Sequence, residues 1–395
     1  MHIMDPVYAG IVTLLRSALN AESLKLPEDF DWDKAANLFF QHHLTGLGIQ
    51  GAILCGVPRT HPTIAKMTLQ FCQSLKTSRL QMQKLDQVFA LFEANNIEYL
   101  PVKGSVIKPL YPRMEYRMMG DADILIRPEQ YPLIQSLLPS LGLHEKDNSD
   151  YEYTWECPAL TLELHRYLVS THFMNYFDYY KDSWRHARKC DQGSGYRLTP
   201  EAHFVYFFVH FAKHYLNGTI CAKDLCDFHV WRKAHPNMDE KYILSQLQIL
   251  QLADFYQNIM DLLDNWFYGA PATEASELIT RSAFQGGVYA ELNKSAAANI
   301  MQRHSNQSDS LFKRKLKWLL NVLFPSCNTL SYAHPILKKA SFLLPIFWVV
   351  RWCNALFRNP DKFKRGVIVM QADEHNFSEY TAHLDAVGLG NCKQH

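Results

Sequence analysis

Two aspartates one residue apart, Asp121 and Asp123, open a short apolar run that ends at Ile126. Because successive side chains of a strand point to opposite faces, the two carboxylates share one face while Ala122 and Ile124 line the other. The apolar face can be buried, which leaves the carboxylates side by side at a polar edge. Two anions held this close repel each other unless a cation lies between them, and oxygen ligands suit Mg²⁺ or Mn²⁺. The run therefore predicts a strand that carries a metal site.

A second stretch, from Leu160 to His165, alternates between apolar and polar residues throughout. Its leucines can face the core, while Glu163 and His165 project from the polar face. If this strand is the neighbour of the first, Glu163 becomes a third carboxylate beside Asp121 and Asp123. Three carboxylates can hold two cations, one that activates an attacking oxygen and one that clamps a leaving phosphate. We expect His165 to orient a carboxylate or to contact the substrate.

The Lys103-Gly104-Ser105 turn lies between a short apolar strand and a short predicted helix. Free backbone amides, a glycine that allows close approach, a serine hydroxyl and a nearby ammonium group all favour bound phosphate. The turn is not a Walker loop, because the upstream glycine and the Gly-Lys-Ser order are absent. Arg117, between the turn and the aspartates, adds positive charge that could meet a triphosphate.

The order of these elements resembles the nucleotidyltransferase superfamily of the DNA polymerase β type, and within it the chain looks most like a largely uncharacterised bacterial family. The resemblance rests on Lys103-Gly104-Ser105, Leu110-Tyr111-Pro112, Arg117, Asp121-x-Asp123-Ile124-Leu125 and Glu163-Leu164-His165. It is specific over residues 97–166 and looser over the helical remainder. It implies that Gly104 and Ser105 bind the triphosphate and that Asp121, Asp123 and Glu163 bind the metal.

Helical periodicity surrounds the strands on both sides. We therefore predict an α+β fold, a small mixed β-sheet nucleotidyltransferase core flanked by N-terminal and C-terminal helical regions. A long helix from about Pro62 is expected to end at Asn95-Asn96, and residues 151–155 are expected to form an antiparallel edge strand. The predicted limits are 1–95 for the N-terminal helical region, 96–192 for the catalytic core, 193–358 for the C-terminal helical domain and 359–395 for a loosely attached tail.

His210 and His214 are one turn apart on a predicted helix that begins after Thr199. Three interpretations remain open for them: metal binding together with Asp224 or Asp227, a place on the acceptor side of the site, or a hydrogen bond between domains. The stretch lacks the glutamate of the zinc-protease helix, and Lys213 cannot replace it. We group His210, His214 and Asp227 with His165 as candidate acceptor-side residues.

Composition restricts the class of partner. The formal net charge of this 395-residue chain is +1, so no overall field draws it to nucleic acid, and a polynucleotide acceptor is disfavoured. Nine cysteines without a Cys-x-x-Cys pair indicate reduced thiols rather than a disulfide framework. The first twenty residues lack a secretory pattern. We expect a cytoplasmic protein.

One C-terminal segment, residues 340–357, is mostly apolar. It is interrupted by Pro345 and Arg351 and is shorter than the roughly 20 apolar residues that a membrane span needs. Basic residues precede and follow it, so it could instead lie on a membrane surface. We expect a buried terminal helix, with peripheral membrane contact through 340–357 as the alternative.

Together these patterns predict a metal-dependent nucleotidyltransferase that moves a nucleoside monophosphate from an NTP, ATP first among them, to a small-molecule or protein acceptor. A sugar-nucleotide glycosyltransferase also uses an Asp-x-Asp pair with a divalent metal, but it needs a larger parallel α/β domain ahead of Asp121. A non-catalytic binding protein that retains the fold is the second alternative.

Overall fold

The computed structural model combines a five-stranded mixed sheet with many helices. This confirms the predicted α+β class. The structure describes residues 5–149, 151–170, 174–216, 220–286, 310–327, 330–331, 335–357 and 374–390.

The α-helices of the described residues lie on both sides of the sheet segment in the sequence. They are α1 Pro6–Asn20, α2 Trp32–Gln41, α3 Thr45–Leu54, α4 Pro62–Ala94, α5 Gly104–Ile107, α6 Tyr131–Leu137, α7 Met174–Tyr180, α8 Pro200–Leu216, α9 Ala222–Ala234, α10 Glu240–Ile249, α11 Ala253–Tyr268, α12 Glu274–Gly286, α13 Leu311–Leu323, α14 Leu344–Phe357 and α15 Glu374–Ala386. The long helix α4 begins with a proline, which is favourable in the first turn, and ends before Asn95 and Asn96, as predicted. Asn96 has a φ of 53°, a conformation that stops a helix.

The strands of the central sheet follow the order β1-β2-β5-β4-β3. Their bounds are β1 Tyr99–Val102, β2 Asp121–Ile126, β3 His144–Asn148, β4 Glu152–Cys157 and β5 Leu160–His165, and a separate hairpin contains β6 Ala187–Lys189 and β7 Tyr196–Leu198. Strands β2 and β5 are parallel, and the other neighbours are antiparallel. The predicted antiparallel strand at 151–155 is present as β4, but it is not an edge strand, because β3 pairs along its outer side.

The alternation within β2 and β5 gives the sheet one apolar face. On that face Ile124, Leu162 and Leu164 are buried in a cluster with Leu85 and Phe92 of α4. The long helix therefore covers the apolar side of the sheet, and the carboxylates of the same strands project to the opposite side.

Helices α1 to α3 share a second buried cluster with α8 to α12. The Asn20 side chain at the end of α1 donates to the Phe267 carbonyl at 2.7 Å, and Lys233 donates to the Leu19 carbonyl at 2.8 Å. These contacts cross the predicted limit at residue 95, because α1 to α3 pack with the C-terminal helices while α4 packs on the sheet. The domain limits themselves stay a prediction.

The end of the described chain differs from the loosely attached tail that we expected. Tyr380, Leu384, Val387 and Leu389 are buried in the cluster that holds α8 to α12. The Tyr380 hydroxyl donates to the carbonyl of Leu216 at 2.7 Å. The apolar residues of α15 explain the difference, because Tyr380 and Leu384 lie four positions apart on one face of the helix and that face packs into the core.

Helix α14 covers most of the segment for which we expected burial. Its residues Ile346, Val349 and Val350 are instead exposed to solvent. Among the described residues, no helix combines the length and apolar character needed to cross a membrane.

Candidate active site

The register of β2 and β5 sets the positions of the predicted carboxylates. Asp123 lies directly opposite Glu163, and Leu125 lies opposite His165. Because side chains alternate along each strand, Asp121, Asp123 and Glu163 project from the same face. The His165 Nε2 atom lies 2.8 Å from Asp123 Oδ1 and 3.7 Å from Glu163 Oε2. The imidazole thus lies between the two carboxylates.

These groups form a donor set of the kind that binds divalent cations. Asp123, Glu163 and His165 each offer a ligand atom, and these atoms lie within 4.8 Å of one another. Carboxylate oxygens suit Mg²⁺ and Mn²⁺, and an imidazole nitrogen is compatible with Mn²⁺. Asp121 lies outside this group, two positions from Asp123 on the same strand face. The residues present therefore fit a metal site.

The electrostatics of the cluster also favour a cation. Burial and the charges of Asp123 and Asp121 raise the pKa of Glu163 to about 8. Burial and Asp123 raise the pKa of Asp121 as well. Burial alone would raise the pKa of Asp123, but Lys103 and His165 outweigh it and hold the pKa of that carboxyl below its usual range. The raised pKa values show that the charged forms of Asp121 and Glu163 are disfavoured in this site, and a bound cation would stabilise those charged forms.

Lys103 occupies the turn between β1 and α5 and reaches into the cluster. Its Nζ atom lies 2.5 Å from Asp123 Oδ1, and its side chain is largely buried. Its backbone has a φ of 53° and a ψ of −121°, a region that residues other than glycine rarely adopt. Such strain persists only where the surroundings hold the residue in place. The ion pair with Asp123 is one contact that does so.

The next two residues shape the rest of the turn. A Cβ on Gly104 would lie 2.9 Å from Nη1 of Arg117 and 3.0 Å from Cγ of Met119, so only glycine fits without a shift. The Ser105 hydroxyl donates to the Val102 carbonyl at 3.0 Å. In this conformation the serine hydroxyl stabilises the turn, and a bound phosphate would compete with the Val102 carbonyl for the hydroxyl's hydrogen bond.

Arg117 and Asp227 lie in a buried ion pair. The guanidinium donates from Nε to Oδ1 and from Nη2 to Oδ2 of the carboxylate, both at 2.8 Å. The Tyr111 hydroxyl also donates to Asp227, at 2.6 Å. Both oxygens of Asp227 are therefore occupied, and the pair is buried. In this conformation Arg117 packs behind Gly104 and is paired with Asp227. The roles predicted for these two residues stay predictions.

Helix α8 brings His210, Lys213 and His214 towards the carboxylates. The Nε2 atoms of the two imidazoles lie 2.8 Å apart, so one imidazole donates to the other. Burial and the Lys103 charge lower the pKa of His210. The same two causes lower the pKa of Lys213 to about 8, against the opposing influence of Asp123. These interactions place this turn of α8 beside the cluster.

The metal-binding interpretation of His210 and His214, which was one of three alternatives, has no support in their contacts. The two histidines bond to each other, whereas Asp227 bonds to Arg117 and Tyr111. In the part of the chain that the structure describes, the group with metal-ligand geometry is the one around Asp123.

Two residues near the cluster were missed by the sequence analysis. The Glu152 carboxylate lies 3.3 Å from His165 Nδ1, because β4 pairs with β5 and sets Glu152 opposite His165. The Tyr206 hydroxyl of α8 is buried with no hydrogen-bond partner among the described residues. Burial and the charge of Asp123 raise the pKa of this hydroxyl, and the charge of Lys103 opposes the rise. The alternation of β4 could have indicated Glu152, but no local pattern could have placed Tyr206.

A cleft of about 530 Å³ opens beside the turn rather than over the carboxylates. Pro101 and Val106 on either side of the turn line it, together with His203 and Trp231. Asp123 and Glu163 are not among its lining residues.

Comparison with known families identifies the chain. Residues 28–268 match the model of a family described as uncharacterised nucleotidyltransferase. The chain belongs to this nucleotidyltransferase family. The match spans both carboxylate strands, the turn and helix α8, and it confirms the resemblance seen in the sequence. Searches of the curated proteins and of the solved structures found no match.

Proposed function

We propose that this protein transfers a nucleoside monophosphate from an NTP to a hydroxyl or similar group of a small molecule or protein. ATP is the expected nucleotide, and Mg²⁺ or Mn²⁺ the expected cofactor. The observation that carries the proposal is the register that sets Asp123 opposite Glu163, beside the turn at Lys103. Family membership supports nucleotidyl transfer as the class of reaction.

In this proposal Asp121, Asp123 and Glu163 hold the metal. Asp121 and Asp123 serve both cation positions, and Glu163 serves the position next to the acceptor. Bound divalent cations would neutralise phosphate charge and favour ionisation of the acceptor hydroxyl. His165 is a positioning residue, since its Nε2 atom holds Asp123 Oδ1 at 2.8 Å.

The turn is assigned to the outer phosphates. Lys103, Gly104 and Ser105 lie at the end of β1, which pairs with the carboxylate strand β2. For its ammonium group to reach a β- or γ-phosphate, Lys103 would exchange its bond with Asp123 for one with the phosphate. The acceptor oxygen forms a new P–O bond at the α-phosphate and releases its proton to solvent, while the bond from the α-phosphorus to the oxygen that bridges to the β-phosphate breaks. Pyrophosphate leaves, and the turn and a bound metal would balance its charge.

We assign the acceptor side to helix α8. His210 and His214 lie on the turn of α8 that interacts electrostatically with Lys103. Their lowered pKa values leave both imidazoles neutral at pH 7, so they can orient an acceptor through hydrogen bonds without adding charge. Burial and its neighbours Lys213 and Lys103 lower the pKa of His214 to about 3.

The glycosyltransferase alternative lacks support in the described structure. In residues 5–98 the described elements ahead of the turn are helices, where that alternative needs a parallel α/β domain. A non-catalytic binding protein would have the same fold. It differs from the proposed enzyme in showing no NTP turnover.

The test measures Mg²⁺-dependent binding of a non-hydrolysable ATP analogue by calorimetry, and pyrophosphate release from ATP. We expect Asp123→Asn and Glu163→Gln to lower turnover by about a hundredfold or more, because a metal supplies several kcal/mol of transition-state stabilisation. Asp147→Asn is the matched control, since that carboxylate is exposed on β3.

Two results would contradict the proposal. One is analogue binding that is unchanged when EDTA replaces Mg²⁺. The other is full turnover in Asp123→Asn with the unfolding temperature unaltered. Metal-dependent binding with neither pyrophosphate release nor labelling of any acceptor in a cell extract would favour the non-catalytic alternative.

A further inference from the structure

The C-terminal basic segment, residues 310–358, differs in charge from the rest of the chain. It contains eight lysines and arginines and no aspartate or glutamate, although the whole chain has a net charge of only +1. The eight are Lys313, Arg314, Lys315, Lys317, Lys338, Lys339, Arg351 and Arg358. A run of 49 residues with one sign of charge is a local field that can attract an anionic surface.

The same segment holds most of the exposed apolar side chains of the described structure. Ten of the eighteen large hydrophobic residues that are exposed lie between Phe312 and Val350. On α13, Phe312, Leu316 and Leu320 are spaced four residues apart and are 76%, 44% and 47% exposed. Residues at this spacing form one stripe along a helix. An apolar stripe left in water indicates a surface that is covered in use.

Helix α14 packs against the end of α13 through its two tryptophans, and several of its aliphatic side chains are exposed to solvent. The indole of Trp348 donates to the Pro325 carbonyl at 3.0 Å, and that of Trp352 donates to the Leu323 carbonyl at 2.8 Å. The Phe324 ring packs against both indoles. These contacts hold α14 through its tryptophans, which leaves Ile346, Val349 and Val350 exposed.

We propose that the C-terminal basic segment docks the protein on an anionic lipid surface, with α13 and α14 lying in the plane of the headgroups. Long apolar side chains would enter the acyl boundary while lysines contact the anionic headgroups. Helix α13 alone carries Lys313, Lys315 and Lys317 with no acidic residue.

A second copy of the chain fits this surface poorly. Two copies that met through the C-terminal basic segment would bring the exposed Lys313, Lys317 and Lys339 of each copy against like charges, and the segment contains no aspartate or glutamate. An anionic bilayer satisfies both the apolar residues and the charge. The described helices do not cross a membrane, so the attachment is peripheral.

The test is flotation of the full-length protein with vesicles. We expect binding to vesicles of 70% phosphatidylcholine and 30% phosphatidylglycerol, and at least tenfold weaker binding to pure phosphatidylcholine. The double variant Lys313→Gln/Lys317→Gln should weaken binding by about thirtyfold, since each basic residue near an anionic surface contributes about fivefold. Lys66→Gln/Lys76→Gln is the matched control on exposed positions of α4.

The apolar arm uses Phe312→Ser/Leu316→Ser/Leu320→Ser against a matched control of exposed residues elsewhere, Leu69→Ser/Ile249→Ser. The first variant should lose binding to the anionic vesicles and the second should keep it, with equal unfolding temperatures. Equal binding to neutral and anionic vesicles, or equal loss in both variants, would overturn the proposal. A dimer in sedimentation velocity that the first variant abolishes, without vesicle binding by the native chain, would assign the surface to a second copy instead.

Discussion

Lys103 is held in a backbone conformation that costs a lysine about 1–3 kcal/mol. In return, its ammonium group stays against Asp123, where a cation of the proposed site would also lie. Under the proposed function, the lysine would supply part of the metal's charge at Asp123 until a phosphate took its place beside the lysine. A single side chain would then couple nucleotide binding to metal binding.

This coupling predicts effects of opposite sign in Lys103→Ala. We expect the affinity for an NTP analogue to fall more than that for an NMP, because the ammonium is assigned to the outer phosphates. We expect the affinity for Mn²⁺ alone to rise, because a competing positive charge leaves Asp123. Calorimetry with each ligand measures both, with Lys146→Ala on exposed β3 as the control. Unchanged Mn²⁺ affinity would show that the ion pair does not limit metal binding.

His203 gives a pH dependence that is separate from the proposed metal site. Burial lowers the pKa of His203 from 6.5 to about 3, and its ring packs 4.5 Å from that of Trp231. A folded-state pKa below the unfolded value means that the unfolded chain binds the extra proton first, so stability is lost as pH falls from about 6.5 towards 3.

We therefore expect the free energy of unfolding of the native chain to fall with decreasing pH more steeply than that of His203→Phe. The difference in slope should be about 1.4 kcal/mol per pH unit between pH 6 and 4. Urea titrations at several pH values measure it, and the same pair at pH 8 is the reference. Parallel slopes would show that His203 takes up a proton in the folded protein.

At this scale the sequence indicated that the carboxylates share one strand face, because strand alternation is a local rule. Asp121, Asp123 and Glu163 follow from their position on alternating strands. Glu152 and Tyr206 do not, since their approach depends on how β4 pairs and how α8 packs, and both are long-range events. The same limit explains Arg117, whose partner lies 110 residues away on α9.

At the scale of elements, the Arg117 to Asp227 pair joins the segment before β2 to helix α9. Lys108 adds to this junction, since its Nζ atom donates to the Arg117 carbonyl at 2.6 Å. Burial and the nearby Arg117 charge lower the pKa of Lys108 to about 8. The polar groups behind Gly104 therefore depend on one another for their hydrogen-bond and ion-pair partners.

Removing one partner of this pair should be costly. We expect Arg117→Met or Asp227→Leu to lower the free energy of unfolding by about 3–5 kcal/mol, because each leaves the charge of the other partner buried and unpaired. The double variant Arg117→Met/Asp227→Leu should cost less than the sum of single variants. Denaturant titration measures each. An additive double variant would mean that the two side chains act independently.

The exposed pair of Lys146 and Glu156 is the control for this prediction. Its N to O distance is 2.5 Å, yet both side chains are in contact with solvent. Lys146→Met should cost less than about 1 kcal/mol. A comparable loss at both pairs would indicate a general effect of charge removal rather than of burial.

For the whole molecule, the order of the chain does not match the order of its packing. Helices α1 to α3 join the cluster of α8 to α12, although the sheet lies between the two groups in the sequence, and α15 joins the same cluster from further along the chain. Periodicity predicted the helices and the α+β class. It could not predict which helices share a core, because that depends on which apolar faces meet.

Helix α15 offers a test of this closure. Leu384 is fully buried, so Leu384→Ala should cost about 2–5 kcal/mol in unfolding free energy. Leu69→Ala, at a position that is 65% exposed on α4, should stay within about 0.5 kcal/mol. Thermal or urea unfolding of the full chain measures both. Equal stability of the two variants would show that α15 is only loosely attached, as the sequence analysis predicted for residues 359–395.

The parallel pairing of β2 with β5 also bears on how the protein matures. The facing residues Asp123 and Glu163 are 40 positions apart in the chain, and α6, β3 and β4 lie between them. Closing so long a loop costs entropy and slows the pairing relative to local contacts. A nascent or partly folded chain therefore contains both carboxylates without joining them. The rate at which metal affinity appears during refolding would therefore report the rate at which β2 pairs with β5.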